Sequence, residues 1–117
     1  MKVTIYHNPR CSKSRQTLEI LHDRGIEPEV VKYLDTPPDK KTLEMILQQL
    51  NKEPRELMRK GEDVYKEAKL DNMTLNRDEL IDAMLKYPIL IERPIVIVDD
   101  QRVAMGRPPE NILSIIE

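Results

Sequence analysis

One cysteine occurs in the 117 residues, and the stretch YHNPRCSKSR at positions 6–15 seats it among His7, Arg10, Lys13 and Arg15. The whole chain carries 19 basic and 21 acidic residues for a net charge of −2, yet from Lys2 to Leu18 there are four basic residues and no acid. A solitary cysteine is ordinarily a small buried hydrophobe. Cys11 instead has polar and charged neighbours and falls at a break after a short apolar alternation. Nearby cations favour the thiolate and lower its pKa from the free value of about 8.5. A thiolate so placed is a nucleophile, and the charges that hold it ionised also attract an oxyanion.

The surrounding spacing excludes several chemistries. An internal dithiol cycle needs C-x-x-C, and the third residue after Cys11 is Ser14, so a second thiol must come from another molecule. A phosphatase loop of the C-x5-R type would need arginine where Thr17 stands. One cysteine with His7 and His22 lacks zinc-ligand spacing, so no metal is expected, and three glycines build no Walker loop. His7 either shares a proton with the thiol or is a strand-end histidine facing solvent. Ser14 either donates a hydrogen bond to the sulfur or is a plain helix-start residue.

The elements that position this cysteine follow from pattern. KVTIYH (2–7) alternates as a strand, NPR breaks it, and a helix is expected from about Cys11 or Ser12 to Arg24 with Gly25 as its stop. EPEVVKYL reads as a second strand, making a βαβ unit with parallel strands. TPPD (36–39) suggests a capping box with Thr36 as cap, Pro37 at the first position and Asp39 reaching back. Leu43, Ile46, Leu47 and Leu50 then form one apolar stripe. Pro54 is expected to open a short helix, PRELMRK, closed by Gly61, and a polar stretch follows. NRDE caps another helix carrying Leu80, Ile81, Met84 and Leu85, ended by Pro88. RPIVIVDDQRVAMG reads as a hairpin turning at Asp99 to Gln101. RPPENILSII restarts a helix with Pro108 near its first position and Ile112, Leu113 and Ile116 on one face. The order βαβ, helical block, ββα is that of an α/β thioredoxin-like fold with a central helical insertion, here roughly 37–87 of a single domain spanning 1–117.

Composition narrows the partners. No tryptophan and no phenylalanine are present, so the core must rest on Leu, Ile, Val and six Met. The compact basic cluster lacks interleaved aromatics, which argues against nucleic acid. No apolar run reaches membrane-spanning length, and nothing resembles a signal peptide. The single thiol suits a reducing, cytoplasmic setting.

HNPRCSKSR followed by TL resembles the opening of the ArsC family of glutaredoxin-dependent arsenate reductases and their relatives. The resemblance returns in YLDTPP, RELMRKGEDVYKE, ERPIVI and GRPPE, in order along the chain. It implies a thioredoxin-like fold with a helical insertion, Cys11 as the catalytic nucleophile, and an oxyanion pocket of Arg59, Arg93 and Arg107. It also implies a cis bond before Pro94. Arg10 and Arg15 keep three readings: tuning the thiolate, binding glutathione, or facing water.

The activity implied is arsenate reduction, with arsenate as substrate, glutathione as co-substrate and glutaredoxin as partner, and no tightly bound cofactor. Two alternatives stand beside it. One is an ArsC-like thiol enzyme acting on glutathione conjugates or another oxyanion. The other is an Spx-type regulator that binds RNA polymerase, although such regulators typically carry the C-x-x-C that CSKS lacks.

Overall fold

The computed structural model describes all residues, 1–117. They form two compact units, Met1–Thr36 with Arg93–Glu117, and Pro37–Glu92.

The first unit is built on a four-stranded sheet. Strand β1 (Val3–His7) leads through helix α1 (Ser12–Asp23) to strand β2 (Glu29–Lys32), and the chain returns to this unit as strands β3 (Ile95–Val98) and β4 (Arg102–Met105). The strand order is β2-β1-β3-β4. β2 runs parallel to β1, as the βαβ pattern requires, whereas β3 is antiparallel to both β1 and β4. Registers align Val30, Ile5, Val96 and Ala104 in one row across the sheet. Ile5, Val96 and Ala104 join Val3, Val98, Leu21 and Ile112 in a buried cluster, against which Leu18, Ile26 and Ile116 pack. Burying each of the larger side chains stabilises the unit by about 1.5–3 kcal/mol.

Turn chemistry sets the ends of these elements. Gly25 has φ +73° just past α1, a conformation that costs a side-chain-bearing residue more. The β3–β4 turn places Asp99 and Asp100 at φ 54° and 57°, the paired positive values of a tight hairpin, and aspartate tolerates them. Asp99 also accepts from the Lys2 N–H at 2.8 Å, tying the hairpin to the start of β1. The C-terminal segment differs from one continuous helix. Pro108 is the cap residue, Pro109–Ile112 is a 3-10 turn, and helix α5 (Leu113–Ile116) follows. Arg93–Pro94 is cis, and so is Arg107–Pro108, which the sequence reading did not anticipate.

The second unit is helical, with α2 (Lys40–Leu50), α3 (Asp63–Glu67) and α4 (Arg77–Lys86). Leu43, Ile46 and Leu47 of α2 and Ile81 and Met84 of α4 are fully buried. Two expectations are corrected here. The cap of α2 is Asp39, whose carboxylate accepts from the Thr42 N–H at 2.8 Å, and not Thr36. Pro38 disfavours helical backbone at Pro37, so the helix begins only after both prolines, and Thr36 closes a turn on the Lys32 carbonyl. PRELMRK is likewise no helix throughout. Only Pro54–Leu57 forms a 3-10 turn, after which Met58 pairs with Ile91 in an isolated antiparallel bridge. The Arg59 N–H then donates to the Leu90 carbonyl at 2.7 Å, so non-local pairing wins over local helix preference. α3 arises in the stretch read only as polar; it buries no residue and carries no apolar stripe. Asn76 and Glu79 form the reciprocal capping box expected for α4.

No helix is long and apolar enough to cross a membrane.

Candidate active site

Cys11 is the residue that caps α1, with extended backbone at φ −93° and ψ 123°. Its N–H closes a tight turn on the Asn8 carbonyl at 3.0 Å, and the Asn8 side-chain oxygen accepts from the Arg10 N–H at 3.0 Å. The break NPR is therefore a hydrogen-bonded turn that delivers the cysteine to the positive end of the helix dipole. Cys11 is buried, with 9 % of the residue exposed.

Burial pushes the Cys11 pKa up. The Ser14 N–H, the Arg93 guanidinium hydrogen bond, the Lys13 N–H and the Arg93 charge together outweigh burial, holding the thiol below its ordinary value. Arg107 adds an Nη2 donor 3.4 Å from the sulfur, and its Nε donates to the Arg93 carbonyl at 2.7 Å. Arg93 and Arg107, distant in sequence from Cys11, are thus brought to the sulfur by the ends of β3 and β4. Gly106 makes the approach possible. Its N–H donates to the Pro94 carbonyl at 3.0 Å, and a Cβ there would overlap Thr17 of α1 and lie 2.7 Å from the Pro94 ring.

His7 and Ser14 are both buried, which removes the solvent-facing reading of the histidine. His7 Nδ1 and Ser14 Oγ lie 2.6 Å apart, and the same oxygen accepts from the Asn8 N–H at 3.0 Å. Burial first, then the charges of Lys32 and Arg15, lower the His7 pKa and keep the ring neutral near pH 7. Ser14 thus meets the sulfur through its backbone and braces the turn through its hydroxyl. Arg15 donates from Nη1 to the Pro9 carbonyl at 2.9 Å and stiffens the same loop. Arg10 is exposed and makes no such contact.

Arg59 belongs to the second unit, where two carboxylates hold it. Nε lies 3.1 Å from Glu62 and Nη1 lies 2.9 Å from Glu92. Burial disfavours its charge, but the hydrogen bonds and charges of Glu62 and Glu92 prevail and raise its pKa. The sequence reading missed both glutamates, as it missed Asn8, Thr17 and Gly106. Glu92 is 33 positions from Arg59, so only the fold joins them. Glu62 alone, three positions on, had a local signal. No group of three or more His, Cys, Asp or Glu side chains is arranged around a metal-sized space.

The ArsC family profile matches residues 6–115. The chain belongs to the ArsC family. A protein of Neisseria meningitidis serogroup A named arsenate reductase is 49 % identical over 116 residues, covering 98 % of each chain. An Escherichia coli K12 protein, named only as uncharacterized protein YfgD, is 52 % identical over 98 % of this chain and 97 % of its own. The solved structure of an arsenate reductase from Vibrio cholerae superposes with a TM-score of 0.93 at 50 % identity, covering 99 % of this chain and 98 % of that one. The fold is accordingly the thioredoxin-like fold of ArsC proteins.

Proposed function

We propose that this ArsC protein is an arsenate reductase in which the Cys11 thiolate is the nucleophile. The observation that carries the reading is the sulfur at the start of α1 with the Arg107 guanidinium 3.4 Å away. A thiolate beside a fixed cation is poised to attack an electrophilic oxyanion that the same cation neutralises. Arg93 and Arg107 bind the substrate oxygens, and Arg59 is the third arginine implied by family resemblance.

Cys11 sulfur attacks arsenic, and one oxygen leaves as water after protonation. Glutathione then supplies the second thiol. Its sulfur bonds to that of Cys11, and the electron pair passes to arsenic, taking it from the pentavalent to the trivalent state. One thiol of Cys11, one glutathione and arsenate thus give a Cys11–glutathione disulfide, arsenite and water. Glutaredoxin removes glutathione from Cys11 by thiol–disulfide exchange. The chain has a single cysteine, so the resolving thiols are external. Those thiols call for a reducing compartment such as the cytoplasm.

The experiment is arsenate-dependent NADPH oxidation with glutathione, glutaredoxin and glutathione reductase. Wild type is expected to turn over and Cys11→Ser to be inactive while folded. Turnover retained by Cys11→Ser overturns the nucleophile. Absence of arsenate turnover in the wild type, with a thiol that still titrates low, assigns the reactive cysteine to another oxyanion or a glutathione conjugate.

A further inference from the structure

A cavity of about 390 Å³ opens beyond the carboxyl ends of the parallel strands β1 and β2, lined by His7, Asn8, Arg10, Lys32, Leu34 and Asp35. His7 and Lys32 are register partners at the ends of the two strands, so the sheet itself fixes its floor.

Its polar groups are unusually unspent. Asn8 is 5 % exposed; its side-chain oxygen is taken by the Arg10 N–H, while its amide nitrogen makes no hydrogen bond within the protein. His7 is 6 % exposed and uses Nδ1 on Ser14, leaving Nε2 without a protein partner. The Lys32 ammonium, the Arg10 guanidinium and the Asp35 carboxylate, all at exposed residues, form no ion pair in the protein. Neither the Asn8 amide nitrogen nor His7 Nε2 is shut away from solvent, so both stand open in the cavity as groups a ligand can meet. Two cations and an amide donor suit carboxylates. Asp35 suits an ammonium and disfavours a polyanion. Leu34 adds an apolar side chain to the lining.

We propose that this cavity seats the thiol co-substrate, a zwitterionic thiol peptide with two carboxylates and one ammonium, of which glutathione is the type. The inference rests on the reading that Cys11 needs an external thiol. The cavity wall, residues 7–10, runs directly into Cys11, whose N–H closes the turn on Asn8. A ligand held there by its charged ends is delivered next to the reacting residue rather than captured from bulk solution.

S-methylglutathione, which cannot donate its sulfur, tests the cavity without any turnover. Titrated into the full chain and followed by amide resonances, it is expected to shift Asn8, Arg10, Lys32, Leu34 and Asp35. Lys32→Glu is expected to weaken it about tenfold through loss of a charge-assisted contact. In the coupled assay the same variant should raise KM for glutathione by a similar factor, well beyond any change in KM for arsenate. No binding, shifts confined to other residues, or a Kd within about twofold of wild type in Lys32→Glu overturns the proposal. An enzyme that binds S-methylglutathione here yet ignores arsenate would sink the reductase reading and leave the cavity standing.

Discussion

Arg107 reaches the Cys11 sulfur with Nη2 at 3.4 Å while its Nε is tied to the Arg93 carbonyl at 2.7 Å. The guanidinium is therefore oriented before any substrate arrives, and little side-chain freedom remains to be lost in the reaction. Lysine would keep the charge and lose the fork. Arg107→Lys is expected to lower kcat/KM for arsenate by about a hundredfold, the scale of removing one oriented oxyanion donor. The coupled assay measures it.

Arg93 acts on the sulfur by hydrogen bond and charge, so its loss shows in titration. Arg93→Ala should raise the Cys11 pKa toward the ordinary thiol value, since burial then acts with less opposition. Thiolate absorbance against pH, or the pH profile of alkylation, reads the shift. At neutral pH the variant should alkylate more slowly than wild type.

His7 links the site to stability. Its folded pKa lies below the unfolded value of about 6.5, so the folded state resists protonation. The stability held by the neutral ring is complete above that value and is lost as pH falls through the lowered folded pKa. Thermal melts of wild type should decline over that window, and His7→Gln should flatten this part of the decline. Ser14→Ala leaves the buried Asn8 N–H without its acceptor and should cost about 1–3 kcal/mol at any pH.

What the sequence discloses depends on how local its cause is. The alternation of Val3 and Ile5, the stop at Gly25 and the Asn76–Glu79 box each act within a few residues, and the expected elements appear there. Thr36 misleads because its motif fits a cap while the two prolines after it forbid the helix. Met58 misleads because its extended conformation is imposed by Ile91. At the site, Cys11 declares itself by the charge around it. The brace of His7 and Ser14 spans seven residues across a turn and gives no periodic signal. Arg93 and Arg107 carry no mark in composition or spacing; family resemblance singled them out.

Gly106 is where packing and chemistry meet. Adding one methyl group there would overlap the Thr17 side chain and crowd Pro94, displacing the residue before Arg107. Gly106→Ala should destabilise by about 1–3 kcal/mol, as overpacking does. It should also lower arsenate turnover through misplaced Arg107. Thr17→Ala in the same chain removes the nearest overlap and should recover part of the melting temperature. Failure to recover would put the strain at Pro94 instead.

The carboxylates on Arg59 carry a sharper consequence. Glu62 and Glu92, each about a quarter exposed, take its Nε and Nη1 edges. They fix the guanidinium in place and at the same time offset its positive charge twice over. Orientation and attraction therefore pull in opposite directions, and amide substitution separates them, because glutamine keeps an acceptor oxygen and drops the charge. With Arg59 as an oxyanion ligand, Glu62→Gln and Glu92→Gln should tighten competitive inhibition by phosphate severalfold, and Glu62→Ala and Glu92→Ala should weaken arsenate binding through a loosened side chain. Inhibition constants for phosphate beside KM for arsenate decide the matter. Equal effects of the glutamine and alanine variants would mean that the carboxylates serve Arg59 only as a structural clamp.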